Sequence, residues 1–142
     1  MQDITLLNDL LFRIVFGNQK RTAALAGLLN AILGREGDSR IRQLEIQNPL
    51  REKDRLEQKS SILDVKARDG QGHFYNIEVQ LATQAHYRER TVYYGAGMVS
   101  QQAIVGKNYS SLTRCLHISL VDFPLFSEHE DVQSRFVLFD PS

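Results

Sequence analysis

Hydrophobic positions along the chain change period several times, and each change marks an element. In "LLNDLLFRIVFG" Leu7, Leu10, Leu11, Ile14 and Val15 recur at helical spacing and Gly17 stands where a helix can end, which predicts an N-terminal helix within 1–17. "RTAALAGLLNAILG" repeats the pattern with Leu25, Leu28, Leu29, Ile32 and Leu33, closed by Gly34. The period then drops to two. "IRQLEIQ" sets Leu44 and Ile46 on one side of a strand, with Gln43, Glu45 and Gln47 on the other. Dense charges of both signs over 48–59 read as a solvated loop. Two more alternating runs follow in "ILDVKARDGQGHFYNIEVQ", folded about a glycine turn. "QAHYRERTVYYGAGMVSQQAIVG" has the length of five or six helical turns, with Val92, Ala96, Val99 and Ala103 as its stripe and Gly95 and Gly97 allowing close approach to a sheet. "CLHISLVDF" reads as a buried strand, and "SRFVLFDPS" opens another strand and stops within it.

Helix, helix, three strands, helix and strand in that order specify an α/β sandwich. A three-strand meander followed by a helical crossover gives a mixed sheet with helices packed on it. The whole chain, 1–142, reads as one domain.

Charge changes the picture little. Seventeen basic and seventeen acidic side chains cancel, so no overall field draws the chain to DNA or to a membrane, and any basic surface must be local. One cysteine, Cys115, excludes an intramolecular disulfide and suits a reducing compartment. No apolar run approaches the roughly 20 residues of a membrane span. The N-terminus lacks the layout of a signal peptide, and a cytoplasmic location is the expectation.

The chemistry sits in the hairpin, where each strand-like arm carries an acid. Alternation puts Asp64 and Lys66 on one face of the first arm, and Asn76, Glu78 and Gln80 on one face of the second. An odd-length turn, which Gly70–Gly72 supplies, sets Asp64 opposite Glu78 and Lys66 opposite Asn76. Two carboxylates so placed have β-carbons about 5 Å apart and repel. Either a divalent cation offsets the repulsion, or the acids face solvent, or lysines such as Lys66 and Lys59 neutralise them.

Asp64, a glycine turn and "IEVQ" with Glu78 and Gln80 resemble the D…(D/E)xK signature of restriction-endonuclease-like nucleases. More narrowly, "NDLLFRIVFG", "LLNAILG", "KSSILDVKARDGQGHFYNIEVQ", "RTVYYGAGMVSQQAIVGKNYSSL" and "HISLVDF" resemble the Rpn family of recombination-promoting nucleases, also described as transposases. The resemblance implies a restriction-endonuclease-like three-layer core of αβββαβ order that ends early at the C-terminus. It implies an Mg²⁺-dependent DNA endonuclease (Mn²⁺ or Ca²⁺ as alternatives) that leaves a 5′-phosphate and serves recombination, transposition or defence. Asp64 and Glu78 would hold the metal with the Val79 carbonyl. Gln80 stands where the general signature has lysine, and Lys66 or Arg90 would supply the missing charge. Asp9, Arg13, Arg90, Tyr94 and Gln101 would lie around the metal or against DNA. The implied partners are DNA, with nucleoid association when bound, and a second copy in a homodimer. The competing reading is a nucleic-acid-binding or assembly module that keeps the fold without turnover, which zero net charge and Gln80 favour.

Overall fold

A computed structural model of the chain describes residues 9–48, 64–103, 106, 108–128 and 130–137. Among them three helices, α1 (Asp9–Phe16), α2 (Thr22–Leu33) and α3 (Tyr87–Ser100), accompany strands β1 (Leu44–Ile46), β2 (Val65–Asp69), β3 (Phe74–Gln80) and β4 (Cys115–Val121). The strands form one mixed sheet in the order β1-β2-β3-β4, antiparallel up to β3 and parallel between β3 and β4. The meander and helical crossover expected from the pattern are both present, and the fold is α/β with the expected order of helices and strands. Apart from Asn48, the expected charged loop at 48–59 lies outside the described residues, as do Lys59, Ile62 and Leu63.

One face of the sheet carries the core. Leu44, Ile46, Val65, Ala67, Tyr75, Ile77 and Val79 are buried there beneath Phe12 of α1 and Leu25, Ala26 and Leu29 of α2. Leu25 and Leu29 have no exposed surface, and burial of each stabilises the fold by about 1.5–3 kcal/mol. Gly34 ends α2 with φ +60°, its N–H reaching the Ala31 carbonyl, so the expected glycine cap is present. Asn30, buried in the last turn of α2, donates to the Ile41 carbonyl (3.0 Å) and accepts from the Ile41 N–H (2.8 Å), satisfying a lone stretch of backbone that leads into β1.

Three expectations change. In α1 the buried side chains are Phe12 and Arg13, with the Phe12 and Phe16 rings 4.7 Å apart, whereas Leu11, Ile14 and Val15 are only half-buried. Among the described side chains of α1 it is the Phe12 and Phe16 rings that pack on the core; Leu7 and the Leu10 side chain lie outside the described residues. α3 has 14 residues, about four turns, and turns its Val92–Ala96–Val99 stripe outward, leaving Val92 71% exposed. A Cβ at Gly95 or Gly97 would meet nothing within 4 Å, so neither glycine serves close packing on the sheet. The sheet surface beneath α3 is polar, as described below, and the helix faces it with Tyr87 and Arg90 instead. β4 is half-buried throughout, with Leu116, Ile118 and Leu120 on the core side. No strand forms among residues 130–137; Gln133 donates to the Ile32 carbonyl at 3.1 Å, and Phe136 stacks near Phe126.

The turn between β2 and β3 is closed by Asp69. Its carboxylate accepts from the N–H groups of Gln71 and His73 (both 2.9 Å), from His73 Nδ1 (3.0 Å) and from the Tyr75 hydroxyl (2.8 Å). Burial alone would raise the Asp69 carboxyl, but hydrogen bonds from Tyr75 and His73 outweigh it and hold the group below its usual value. Burial, and then the bond to Asp69, push the Tyr75 hydroxyl up to about 12. A folded-state pKa raised above the unfolded one contributes stability that is complete below the unfolded value and lost as pH rises through the folded one. Urea denaturation should therefore show stability falling between about pH 10 and pH 12 by on the order of 2 kcal/mol. Tyr75→Phe should flatten that slope while costing about 1 kcal/mol at neutral pH; an unchanged slope would mean that other groups govern it.

Candidate functional site

The same turn fixes the register that builds the site. Asp69 N–H bonds to the His73 carbonyl (3.0 Å), Gly72 N–H bonds back to the Asp69 carbonyl (3.0 Å), and Gly72 takes a φ of +87° that L side chains rarely adopt. Three residues, Gly70, Gln71 and Gly72, thus separate the paired ends. Lys66 consequently faces Asn76 and Val65 faces Ile77, as expected. Asp64 and Glu78 each lie one step beyond the last pair, Val65 with Ile77, and are near enough for the Asp64 charge to act on Glu78. Odd and even positions divide cleanly: Val65 and Ile77 enter the core, while Asp64, Asn76, Glu78 and Gln80 lie on the opposite face, beneath α3.

Both acids are largely removed from solvent, so the solvent-facing reading does not describe them. The Asp64 side chain is 14% exposed; its Oδ2 lies 3.7 Å from Lys66 Nζ, and its Oδ1 is buried without a hydrogen-bond partner among the described residues. The Glu78 side chain is 12% exposed. Its Oε1 accepts from Arg90 Nη2, and its Oε2 stands 3.7 Å from His117 Nε2. Burial raises the Glu78 carboxyl above the usual value; the Arg90 charge and hydrogen bond oppose this without overcoming it, and the Asp64 charge adds to the rise. The neutralisation expected of Lys66 is partly present, since Lys66 pairs with Asp64, but Arg90 provides the contact to Glu78.

Arg90 reaches the sheet from the first turns of α3. Its guanidinium lies over the Tyr87 ring (5.0 Å) and the Tyr94 ring (5.7 Å), bonds to Gln84, and approaches Gln80 Oε1 at 3.5 Å. Gln80 also donates to the Ala82 carbonyl at 2.9 Å. Tyr94 stacks near the His117 ring, with centroids 5.8 Å apart.

His117, in the strand read only as a buried one, also reaches this face. Parallel pairing of β3 and β4 places it beside Asn76 and places Ser119 beside Glu78. Asn76 Nδ2 lies 3.1 Å from Nδ1; with that amide as donor, the ring accepts there and carries its proton on Nε2, toward Ser119 Oγ (3.3 Å) and Glu78. Burial lowers the pKa of His117, with Asp64 opposing and Arg90 reinforcing, so the imidazole is neutral near pH 7. Alternation within "CLHISLV" already separated Cys115, His117 and Ser119 from the leucines. Which neighbour they would meet depended on the parallel partner, which no local pattern states.

The other candidates are scattered. Val79 stands past Ile77, the last β3 residue paired with β2, with its side chain in the core. Arg13 is 7% exposed and turned inward, its Nη2 donating to the Asn48 carbonyl at 3.3 Å, so it is not part of a solvated helix face. Asp9 opens α1, but its side chain lies outside the described residues. Gln101 caps the far end of α3 and is exposed; its neighbour Gln102 is the one bound to the sheet, through Thr113 and Cys115.

A hard cation suits this donor set better than zinc. Among the described residues no group of three or more His, Cys, Asp or Glu side chains is arranged to hold a metal ion, which excludes a closed zinc site there. Mg²⁺ asks less of the protein: one or two carboxylates, with waters and substrate phosphate completing the shell. Asp64, with its unpartnered buried oxygen, and Glu78 fit that requirement.

A family model described as PD-(D/E)XK nuclease family transposase matches residues 6–142. No curated protein and no solved structure matches the chain.

Removing Arg90 would leave Glu78 desolvated without its cation. Arg90→Ala should lower stability by roughly 1–3 kcal/mol in urea denaturation, discounted because the pair is partly exposed. Adding Glu78→Gln should recover much of the loss. If the double variant is no more stable than Arg90→Ala, the arginine acts through packing on Tyr87 and Tyr94 rather than through charge.

Proposed function

Because the chain belongs to the PD-(D/E)XK nuclease family transposases, whose membership carries a nuclease-type function, we propose that it is an Mg²⁺-dependent DNA endonuclease centred on Asp64 and Glu78. The observation that carries this reading is the buried, unpartnered Oδ1 of Asp64 on the face shared with the desolvated Glu78. A divalent cation held there supplies polarisation of the scissile phosphate and a lowered pKa for a nucleophilic water.

The chain's own residues divide the remaining work. Gln80 presents an amide that can orient a water or donate to a phosphate oxygen, but it carries no charge. Arg90, braced between Tyr87 and Tyr94 and touching both Glu78 and Gln80, supplies the positive charge that lysine provides in the general signature. Lys66 sits on the Asp64 side, half-exposed, where an incoming phosphate can meet it. Neutral His117 holds its Nε2 proton toward the second oxygen of Glu78. Tyr94, 40% exposed, extends this cluster toward the surface and is the DNA contact that the arrangement favours. A role in recombination, transposition or defence, and a cytoplasmic, nucleoid-associated location, go with this reading. Among the described residues no helix is long and apolar enough to cross a membrane. Gln80 in place of lysine, together with the engagement of Glu78 by Arg90, favours a second reading, a binding module without turnover.

Plasmid cleavage separates the two. With millimolar Mg²⁺ the wild-type chain should nick or linearise DNA, and Asp64→Ala and Glu78→Ala should not; a wild type inert with Mg²⁺ and Mn²⁺ on every substrate establishes the binding module. Arg90→Met should cost about 10²–10³ in rate, the scale of losing one preorganised stabiliser, and Lys66→Met less. Equal rates for Arg90→Met and wild type would remove the arginine from the chemistry.

Ligation should also register as stability. At a hundred times its Kd, Mg²⁺ should stabilise the native chain by about 2.7 kcal/mol, read as a rise in melting temperature, and Asp64→Asn should lose most of that response. An identical shift in both proteins would put the ion elsewhere.

A further inference from the structure

We propose that Asn48 is a positioning residue for Asp64, held in turn by Arg13; the proposal rests on the reading of Asp64 as a metal ligand. The ladder between β1 and β2 runs out just before the site. Its last Cα pair is Ile46 with Ala67, and one more backbone bond follows, from Gln47 N–H to the Lys66 carbonyl at 2.7 Å. The Asn48 side chain then takes over from the backbone. Its Nδ2 donates to the Asp64 carbonyl at 3.0 Å, and its Oδ1 accepts from the Lys66 N–H at 2.7 Å. A primary amide presents a donor and an acceptor in one plane, as a peptide unit does, so it can pair with the backbone on either side of Val65. Asn30 serves Ile41 in the same manner elsewhere in the fold. Asp64 lies just outside β2, and this amide ties down its main chain at the point where the ladder no longer does.

Arg13 completes the device. Burying a guanidinium is costly unless it is bonded, and this one, 7% exposed, donates to the Asn48 carbonyl. Gly17 closes the end of α1 against the main chain of Arg13: its N–H bonds to the Arg13 carbonyl at 2.8 Å, and a Cβ there would lie 2.6 Å from that oxygen. Arg13 thus holds Asn48, and Asn48 holds Asp64, joining α1 to the acid through side chains that touch neither substrate nor metal.

Groups that orient a metal ligand typically change metal affinity by about 10- to 100-fold when removed. Calorimetric titration with Mn²⁺ should therefore show Asn48→Ala binding about tenfold or more weakly than wild type while its circular dichroism stays native. Steady-state cleavage should lose kcat, with KM for the DNA unchanged and activity partly recovered at high metal. A purely structural role would lower the melting temperature and leave the affinity of the folded protein untouched, and that result overturns the proposal. Should Asn48→Ala fail to fold, Arg13→Met tests the same linkage, with a weaker loss of affinity expected and an unchanged isotherm counting against it. Asp64→Ala, run in parallel, distinguishes the levels. If it abolishes binding while Asn48→Ala and Arg13→Met leave the affinity unchanged, only the positioning role fails; if it too binds metal normally, the metal-ligand reading of Asp64 fails, and the positioning role with it.

Discussion

The structure turns on the carboxylate of Asp69. By taking hydrogen bonds from Gln71, His73 and Tyr75 it closes a three-residue turn and pins the pairing of β2 with β3. Side chains alternate with period two, so a slip of one residue would send Asp64 into the core and Val65 to the polar face. With that register held, aliphatic burial and the assembly of the acidic site follow from a single geometric choice.

A polar sheet face then dictates what can cover it. α1 and α2 bring Phe12, Leu25 and Leu29 to the apolar side, the ordinary use of an amphipathic helix. α3 covers the other side, where Glu78, Asn76, His117 and Ser119 must be met by donors and rings rather than by methyl groups. It therefore presents Arg90 between two tyrosines and leaves Val92 and Val99 to solvent. The helix is amphipathic in the reverse of the usual sense because its partner surface is polar and not a core.

Apposed carboxylates need compensation, and the fold distributes it. Lys66 attends Asp64, Arg90 attends Glu78, and His117 Nε2 stands 3.7 Å from the remaining Glu78 oxygen. Of the carboxylate oxygens of these two acids, Asp64 Oδ1 is buried without a hydrogen-bond partner among the described residues, as are Asn76 Oδ1 and the Tyr87 hydroxyl nearby. Desolvation of a carboxylate oxygen without a bond is costly, and that cost is what the proposed cation would offset.

Local pattern determined much of this protein. Alternation located β1, β2 and β3, an apolar run located β4, glycines marked the end of α2 and the β2–β3 turn, and an odd-length turn was enough to set Lys66 against Asn76 and so to turn both acids to one face, because these are short-range consequences of backbone geometry. Motif resemblance added the family. What the sequence could not carry were the contacts closed over distance. The parallel partner that brings His117 to Asn76, the rotation that buries Phe12 and Arg13 in place of Leu11 and Ile14, and the outward stripe of α3 all depend on which surface each element meets. Asn48 is the clearest case: in the sequence it is a polar residue at the edge of a charged loop, and only the folded chain, by ending the β1 ladder one residue short, turns its amide into the support of Asp64.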